Sequence, residues 1–157
     1  MLVSLLDLPP LDPLIGELRR HKIVIRRAYA FEITQVRSFV KENFGEGWAD
    51  EISVGFANKP RSVYIAIDQS QEKAIIVGFA AYECTCRSFF GPEGVAETHR
   101  RRGIGRALLI ACLHGLREMG YAYGIIGGVG PHMFYEKACG ATLIEGSSPG
   151  IYRDMLR

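Results

Sequence analysis

Arg100-Arg101-Arg102-Gly103-Ile104-Gly105-Arg106 decides how this chain folds, because it lies between a run that reads as a strand and a run that reads as a long amphipathic helix. Before it, Ser88 to Ala96 has strand character with a Gly-Pro interruption. After it, Ile104, Leu108, Ala111, Cys112, Leu116 and Met119 recur on one helical face, and Gly120 follows as a C-terminal stop. A strand, a glycine turn and a helix in that order build an anion site. The first N–H groups of a helix have no intrahelical partner and carry partial positive charge, and glycine lets a ligand come close to the backbone.

The flanking sequence alternates strands and helices. Asp12 followed by Pro13 reads as an N-cap with a first-turn proline, so a short helix to about Arg20 is expected, then a strand over 22–27. Ile33, Val36 and Val40 have helical spacing, and Trp48, Ile52 and Phe56 continue it across a Gly45-x-Gly47 break, which predicts two helices joined by a glycine turn. Alternation over Ser62 to Asp68, a polar turn and a second apolar run over Ala74 to Glu83 predict a hairpin. Beyond the long helix, Tyr121 to Gly127 reads as a strand and Pro131 to Cys139 as a short helix. Ala141 to Ile144 and Ile151 to Met155 read as a closing hairpin.

A length of 157 residues fits one domain, and a chain of that size buries about two-thirds of its unfolded surface, enough for a core without staples. The net charge of +2, from 19 basic and 17 acidic residues, excludes a general nucleic-acid coat. The opening Met1-Leu2-Val3-Ser4-Leu5-Leu6 is apolar, but Asp7, Pro9 and Pro10 interrupt it, so neither a signal peptide nor a membrane span is expected and the cytoplasm is the expected location. Cys84, Cys86, Cys112 and Cys139 read as reduced thiols; Cys84-x-Cys86 has no second pair at ligand spacing, so no metal is expected.

Three motif readings fail on their residues. A P-loop needs Lys-Ser/Thr after its last glycine, and Gly105 is followed by Arg106-Ala107. The dinucleotide pattern fails because Gly103-Ile104-Gly105-Arg106-Ala107 runs into Leu108. Gly146-Ser147-Ser148-Pro149-Gly150 mimics a hydrolase elbow, yet no histidine follows it, and Ser148-Pro149-Gly150 reads as a turn.

The surviving pattern, Arg100-x-x-Gly103-x-Gly105 with Gly94-Val95 before it and Arg106-Ala107-Leu108-Leu109 after it, resembles the GNAT superfamily of N-acetyltransferases. Phe134-Tyr135-Glu136-Lys137 looks like that family's second motif. The resemblance implies an α+β, three-layer fold: a mixed, mainly antiparallel central sheet flanked by helices, splayed between its fourth and fifth strands, 88–96 and 121–127. It covers 22–157 as an acetyltransferase domain and leaves 1–21 as an extension carrying the short helix.

The same resemblance implies transfer of acetyl from acetyl-CoA, as cosubstrate, to a primary amine by direct attack in a ternary complex. The pantetheine arm would pair with Glu93-Gly94-Val95, and the pyrophosphate would sit on the N–H groups of Arg101, Arg102, Gly103, Ile104, Gly105 and Arg106, with Arg100 adding charge. Tyr135 matches the family's tyrosine, which hydrogen-bonds or protonates the departing sulfur. The base is open between Glu93, Glu83 and a water chain, since 121–127 offers no carboxylate. Gly128 stands where many members carry an asparagine that helps to hold the cofactor. His114 reads as a solvated residue of the long helix. The implied partners are a small-molecule or peptide amine, with no nucleic acid and no membrane, and a homodimer is an allowed assembly. A CoA-binding sensor without turnover is the second reading.

Overall fold

The computed structural model describes residues 1–156. Its elements run β1 (Leu2–Ser4), α1 (Asp12–Arg20), β2 (Ile23–Arg27), α2 (Ile33–Phe44), α3 (Glu46–Ala57), β3 (Val63–Asp68), β4 (Ile75–Tyr82), β5 (Phe89–Val95), α4 (Ile104–Glu118), β6 (Tyr123–Ile126) and α5 (His132–Cys139). The strands form one sheet in the order β1-β6-β5-β4-β3-β2, antiparallel throughout except between β5 and β6. Helices lie on both faces. This is the mixed α+β architecture expected from the sequence.

The local readings explain most of these elements. The α2–α3 junction falls at Gly45, whose φ of +102° few other residues adopt. The β3–β4 hairpin forms in the expected place. At α1, Leu11 takes the cap position and Asp12 and Pro13 become the first helical residues, so Asp12 supports the helix through its charge in the first turn and not as the cap.

One expectation fails, at the C-terminal end of the described residues. Residues 141–144 and 151–155 do not pair as a hairpin; Thr142 makes a single bridge to Leu2, and 150–152 form a turn of 3₁₀ helix. The edge of β6 is covered instead by β1, which pairs Leu2, Val3 and Ser4 with Ile125, Gly124 and Tyr123. A three-residue strand carries too little alternation to be read from sequence, and its side chains Val3 and, just beyond, Leu5 are fully buried only because the sheet and α4 lie beside them.

Two clusters of buried side chains sandwich the sheet. On one face α4 packs with α1, α5 and β1; on the other, α2 and α3 pack over β3 and β4 through Val36, Val40, Ile52, Phe56 and Phe79. The sequence shows one apolar stripe on α4, but Leu109, Ile110 and Leu113 outside that stripe are also fully buried. Leu8, Leu11 and the α1 residues Leu14, Ile15 and Leu18 join the same cluster, so the first 21 residues help to wrap the central helix. His114 is part of that wrapping and not a free surface residue: its Nε2 lies 2.9 Å from the Pro9 carbonyl oxygen.

The feature that positions the site is the parting of β5 from β6. They are paired only at Phe89–Ile125 and Phe90–Ile126, after which β5 continues five residues along β4 alone. At the divergence Gly91 and Pro92 together oppose Ala81, a bulge flanked by the pairs Tyr82–Phe90 and Ala80–Glu93. Residues three apart on a regular strand point to opposite faces. The extra residue puts Phe90 and Glu93 on the same face, that of α4 and α5.

Helix α4 can lie this close to the sheet because Gly115 has no side chain. A Cβ there would stand 2.6 Å from the hydroxyl of Tyr82, which is fully buried and accepts a hydrogen bond from Arg27. Gly115→Ala is therefore expected to lower stability by about 1–3 kcal/mol through overpacking, read as a fall in the denaturant midpoint at unchanged slope.

Candidate active site

A cleft of about 490 Å³ opens where β5 and β6 diverge. Its walls are Glu93, Gly94 and Val95 of β5, the Gly127–Gly128 end of β6, Phe134 and Tyr135 of α5, and Trp48 of α3, with Arg100 and Gly105 at one end. Most of the residues singled out in the sequence thus meet at one place. A larger open groove of about 690 Å³, between α2 and the β2–β4 side of the sheet, contains none of them.

The basic turn forms the cradle end of the cleft. After a 3₁₀ turn over Glu97–His99, Arg101 (φ +62°) and Gly103 (φ +80°) both adopt left-handed conformations and turn the chain into α4. The first intrahelical bond runs from Ala107 N–H to the Gly103 carbonyl, so the N–H groups of Ile104, Gly105 and Arg106 are left for another acceptor. Gly105 faces the cleft, and a Cβ there would reach into the space between Glu93, Val95 and Phe134. Arg101, Arg102 and Arg106 are exposed around this turn. Arg100 instead folds back, its Nε donating to the Val95 carbonyl at 3.2 Å, on the free edge of β5. A diphosphate fits these donors: unpaired N–H groups at a helix start, glycine where the ligand must approach, and mobile guanidinium groups nearby.

The cradle is tied to the sheet by a pair of residues far apart in the chain. His99 Nε2 meets the carboxylate of Asp68 at 3.1 Å, both side chains being largely buried. Hydrogen bonds from Ser70 and from His99 hold Asp68 down at about 2. The end of β3 thereby fixes the turn that leads into Arg100.

The strand offers its own donors to the cleft. Ala96 N–H donates to Val77 on β4, and since alternate residues of a strand direct their N–H groups to opposite edges, the Val95 N–H points into the splay. Gly94 keeps the opposite face clear: a Cβ there would stand 2.5 Å from the Phe44 ring, part of an aromatic group with Trp48 and Phe79.

Glu93 lies on the α4–α5 side of the cleft and not beside Trp48. Its Oε1 is sealed from solvent without a hydrogen-bond partner, and burial pushes the carboxyl up to about 8. Tyr135 shares that side, edge-on to Phe90 and Phe134 at ring distances of 6.3 and 5.0 Å. Burial, and then the nearby Glu93 charge, raise its hydroxyl above the ordinary phenol value. Glu83, the other carboxylate considered from the sequence, is occupied. Burial pushes it up, but hydrogen bonds from Ser88 N–H and Arg87 outweigh that and leave it below its usual range.

Gly128, at the position where the resemblance implies an asparagine, has φ +56° and lies against the ring of Tyr152. A Cβ on Gly127 would stand 3.0 Å from both the Phe89 ring and the Tyr152 hydroxyl. The C-terminal segment therefore packs onto this strand end, which a side chain would obstruct. Tyr152 and its neighbours carry no motif, so nothing in the sequence marked them.

A family model described as acetyltransferase (GNAT) family matches residues 33–141. The chain belongs to this family. Membership supports acetyl transfer as its general activity. No curated protein matches it in sequence. Among solved structures, a GNAT family N-acetyltransferase of Escherichia coli in complex with CoA is 17% identical, with a TM-score of 0.55 over 74% of this chain and 67% of its own. One from Brucella melitensis in complex with acetyl-CoA is 17% identical, with a TM-score of 0.54 over 73% and 82%. A glucosamine N-acetyltransferase region of a fungal multi-domain protein gives a TM-score of 0.69 at 17% identity, over 88% of this chain but only 19% of that one. Likeness at this identity carries the fold. Among the described residues no helix is long and apolar enough to cross a membrane, and no group of three or more metal-binding side chains occurs.

The orphaned Glu93 carboxyl makes stability depend on pH. Its pKa is about 8 in the fold against 4.5 ordinarily, so between those values folding takes up a proton and stability falls as pH rises, by up to about 1.4 kcal/mol per pH unit. Glu93→Gln is expected to flatten that slope, so that the variant gains stability over the native protein between about pH 5.5 and about pH 7.5 in denaturant titrations.

Proposed function

We propose that the chain transfers the acetyl group of acetyl-CoA to a primary amine by direct attack while both substrates are bound. The observation that carries this is the continuity of one cleft, from the unpaired N–H groups at the start of α4, along the free edge of β5, to Glu93 and Tyr135. The cosubstrate, when bound, supplies an activated thioester carbonyl and a sulfur leaving group.

The residues divide the work. The N–H groups of Arg101 to Arg106 would hold the diphosphate, with Gly103 and Gly105 allowing close approach and the four arginines from Arg100 to Arg106 adding attraction. The free edge of Glu93-Gly94-Val95 would pair with the pantetheine amides as a further strand would. The Val95 N–H, directed into the splay, can polarise the thioester carbonyl. An alkylammonium titrates near about 10, so the amine must first lose a proton. Glu93, when ionised, is placed to receive that proton through water. As nitrogen bonds to the carbonyl carbon the carbon–sulfur bond breaks, and Tyr135 gives its hydroxyl proton to the sulfur. The acylated nitrogen then loses its second proton to solvent and Glu93 returns its own to Tyr135, so that one proton is released for each ammonium acetylated.

Calorimetry with acetyl-CoA is expected to show one site per chain, and absence of binding at high micromolar concentration would remove both this reading and that of a CoA sensor. Tyr135→Phe is expected to lower kcat for thiol release against an amine panel by about 10²-fold, with acetyl-CoA affinity held within about twofold. An unchanged kcat across pH would remove Tyr135 as the proton donor. Asp68→Asn, acting through His99 on the cradle, should weaken acetyl-CoA binding by about 3–10-fold with a smaller effect on kcat.

A further inference from the structure

The cleft has a second end. Its cradle end lies at Arg100 and Gly105; the opposite end lies where β5 begins, at Phe90 and Gly91. Just beyond, Gly127 is covered jointly by the Phe89 ring and the Tyr152 hydroxyl. Tyr152 lies near Thr85 and Glu51, and Thr85 donates its hydroxyl to Glu51 Oε1. Glu51 stands one helical turn after Trp48 on α3, and Trp48 lines the cleft itself. Trp48 lines the cleft, Tyr152 covers its Gly127 wall, and the Thr85–Glu51 pair joins α3 to the loop that leads into β5, so three separate parts of the chain place a carboxylate, two aromatic rings and a hydroxyl around the end opposite the cradle. The second oxygen of Glu51 has no hydrogen-bond or ion-pair partner among the described residues.

We infer that Glu51, with Trp48 and Tyr152 beside it, is the recognition site for a second, non-reacting positive charge on the acceptor, so that the preferred substrate is a diamine or another amine carrying a cation a few carbons from its nucleophile. The inference rests on the acetyl-transfer reading for its location, because that reading places the thioester beside Glu93–Val95, between the cradle and this end of the cleft. The chemistry favours a second charge over the reacting one. A carboxylate paired with the nucleophilic nitrogen would hold it as an ammonium and oppose its deprotonation; the same carboxylate paired with a remote ammonium only orients the chain. Aromatic faces add to the attraction for a cation brought out of bulk water. Glu93 does not serve this purpose, since its carboxyl turns to the α4–α5 side with Oε1 closed to solvent.

The test compares 1,5-diaminopentane with 1-aminopentane, two amines that share a nucleophile and differ in the second charge. The native chain is expected to prefer the diamine in kcat/KM by about tenfold or more, mainly through KM, and Glu51→Gln to bring that ratio close to one while acetyl-CoA binding by calorimetry persists. Glu51→Asp should recover part of the preference. A ratio near one in the native chain, or a preference that survives in Glu51→Gln, overturns the inference. If the native chain acetylates neither amine, the kinetic ratio is undefined and acetyl transfer is judged separately on the wider amine panel. Calorimetric titration of 1,5-diaminopentane into the CoA-saturated protein then decides on Glu51: binding that is lost in Glu51→Gln supports the site, and no binding to the native protein removes it.

Discussion

Two backbone pairings, Phe89 with Ile125 and Phe90 with Ile126, hold β5 to β6, and the site depends on their being only two. Had the strands stayed together, the inner edge of β5 would have spent its N–H and C=O groups on β6, and no cleft would exist. The Gly91–Pro92 bulge and the glycine-rich end of β6 let the strands separate at that point. What remains is a sheet edge held rigidly by β4 on one side and open on the other, a form suited to an extended ligand with amides of its own. The bulge also sets the chemistry, since it turns Glu93 to the side of Phe90, Tyr135 and α4.

The electrostatics of the cleft are graded along its length. At one end the start of α4 and its exposed arginines attract anions where solvent screens them and long side chains can adjust. Midway, burial raises both Glu93 and Tyr135, and the Glu93 charge adds to the rise at Tyr135. Toward the far end Glu51 accepts a hydrogen bond from Thr85. A ligand with a polyanionic head, a neutral reactive centre and a cationic partner beyond it would match that order.

Much of this was legible in the sequence, for identifiable reasons. The α4 start was readable because glycines and arginines at a strand-to-helix junction have one common physical use, and the helices and the β3–β4 hairpin carry long apolar periods. The closing hairpin was misread because Ala141 to Ile144 and Ile151 to Met155 look like strands on propensity, while the edge they would have paired with is already taken by β1. The role of His114 and the tie between Asp68 and His99 were not readable, since each joins residues far apart in the chain through one contact.

The sequence by itself determined what kind of turn precedes α4, which residues could hold an anion there, and the alternation of strands and helices that makes a mixed sheet. Those are local properties, fixed by glycine conformations, side-chain charge and apolar spacing within a few turns. Tertiary structure decided which strand covers β6, which way Glu93 points, that Thr85 meets Glu51, and that Tyr152 covers Gly127 in the cleft wall. Each of these is a consequence of register and packing between distant segments: a single extra residue in β5 reverses a side chain, and the meeting of α3 with the C-terminal turn is written in no contiguous stretch.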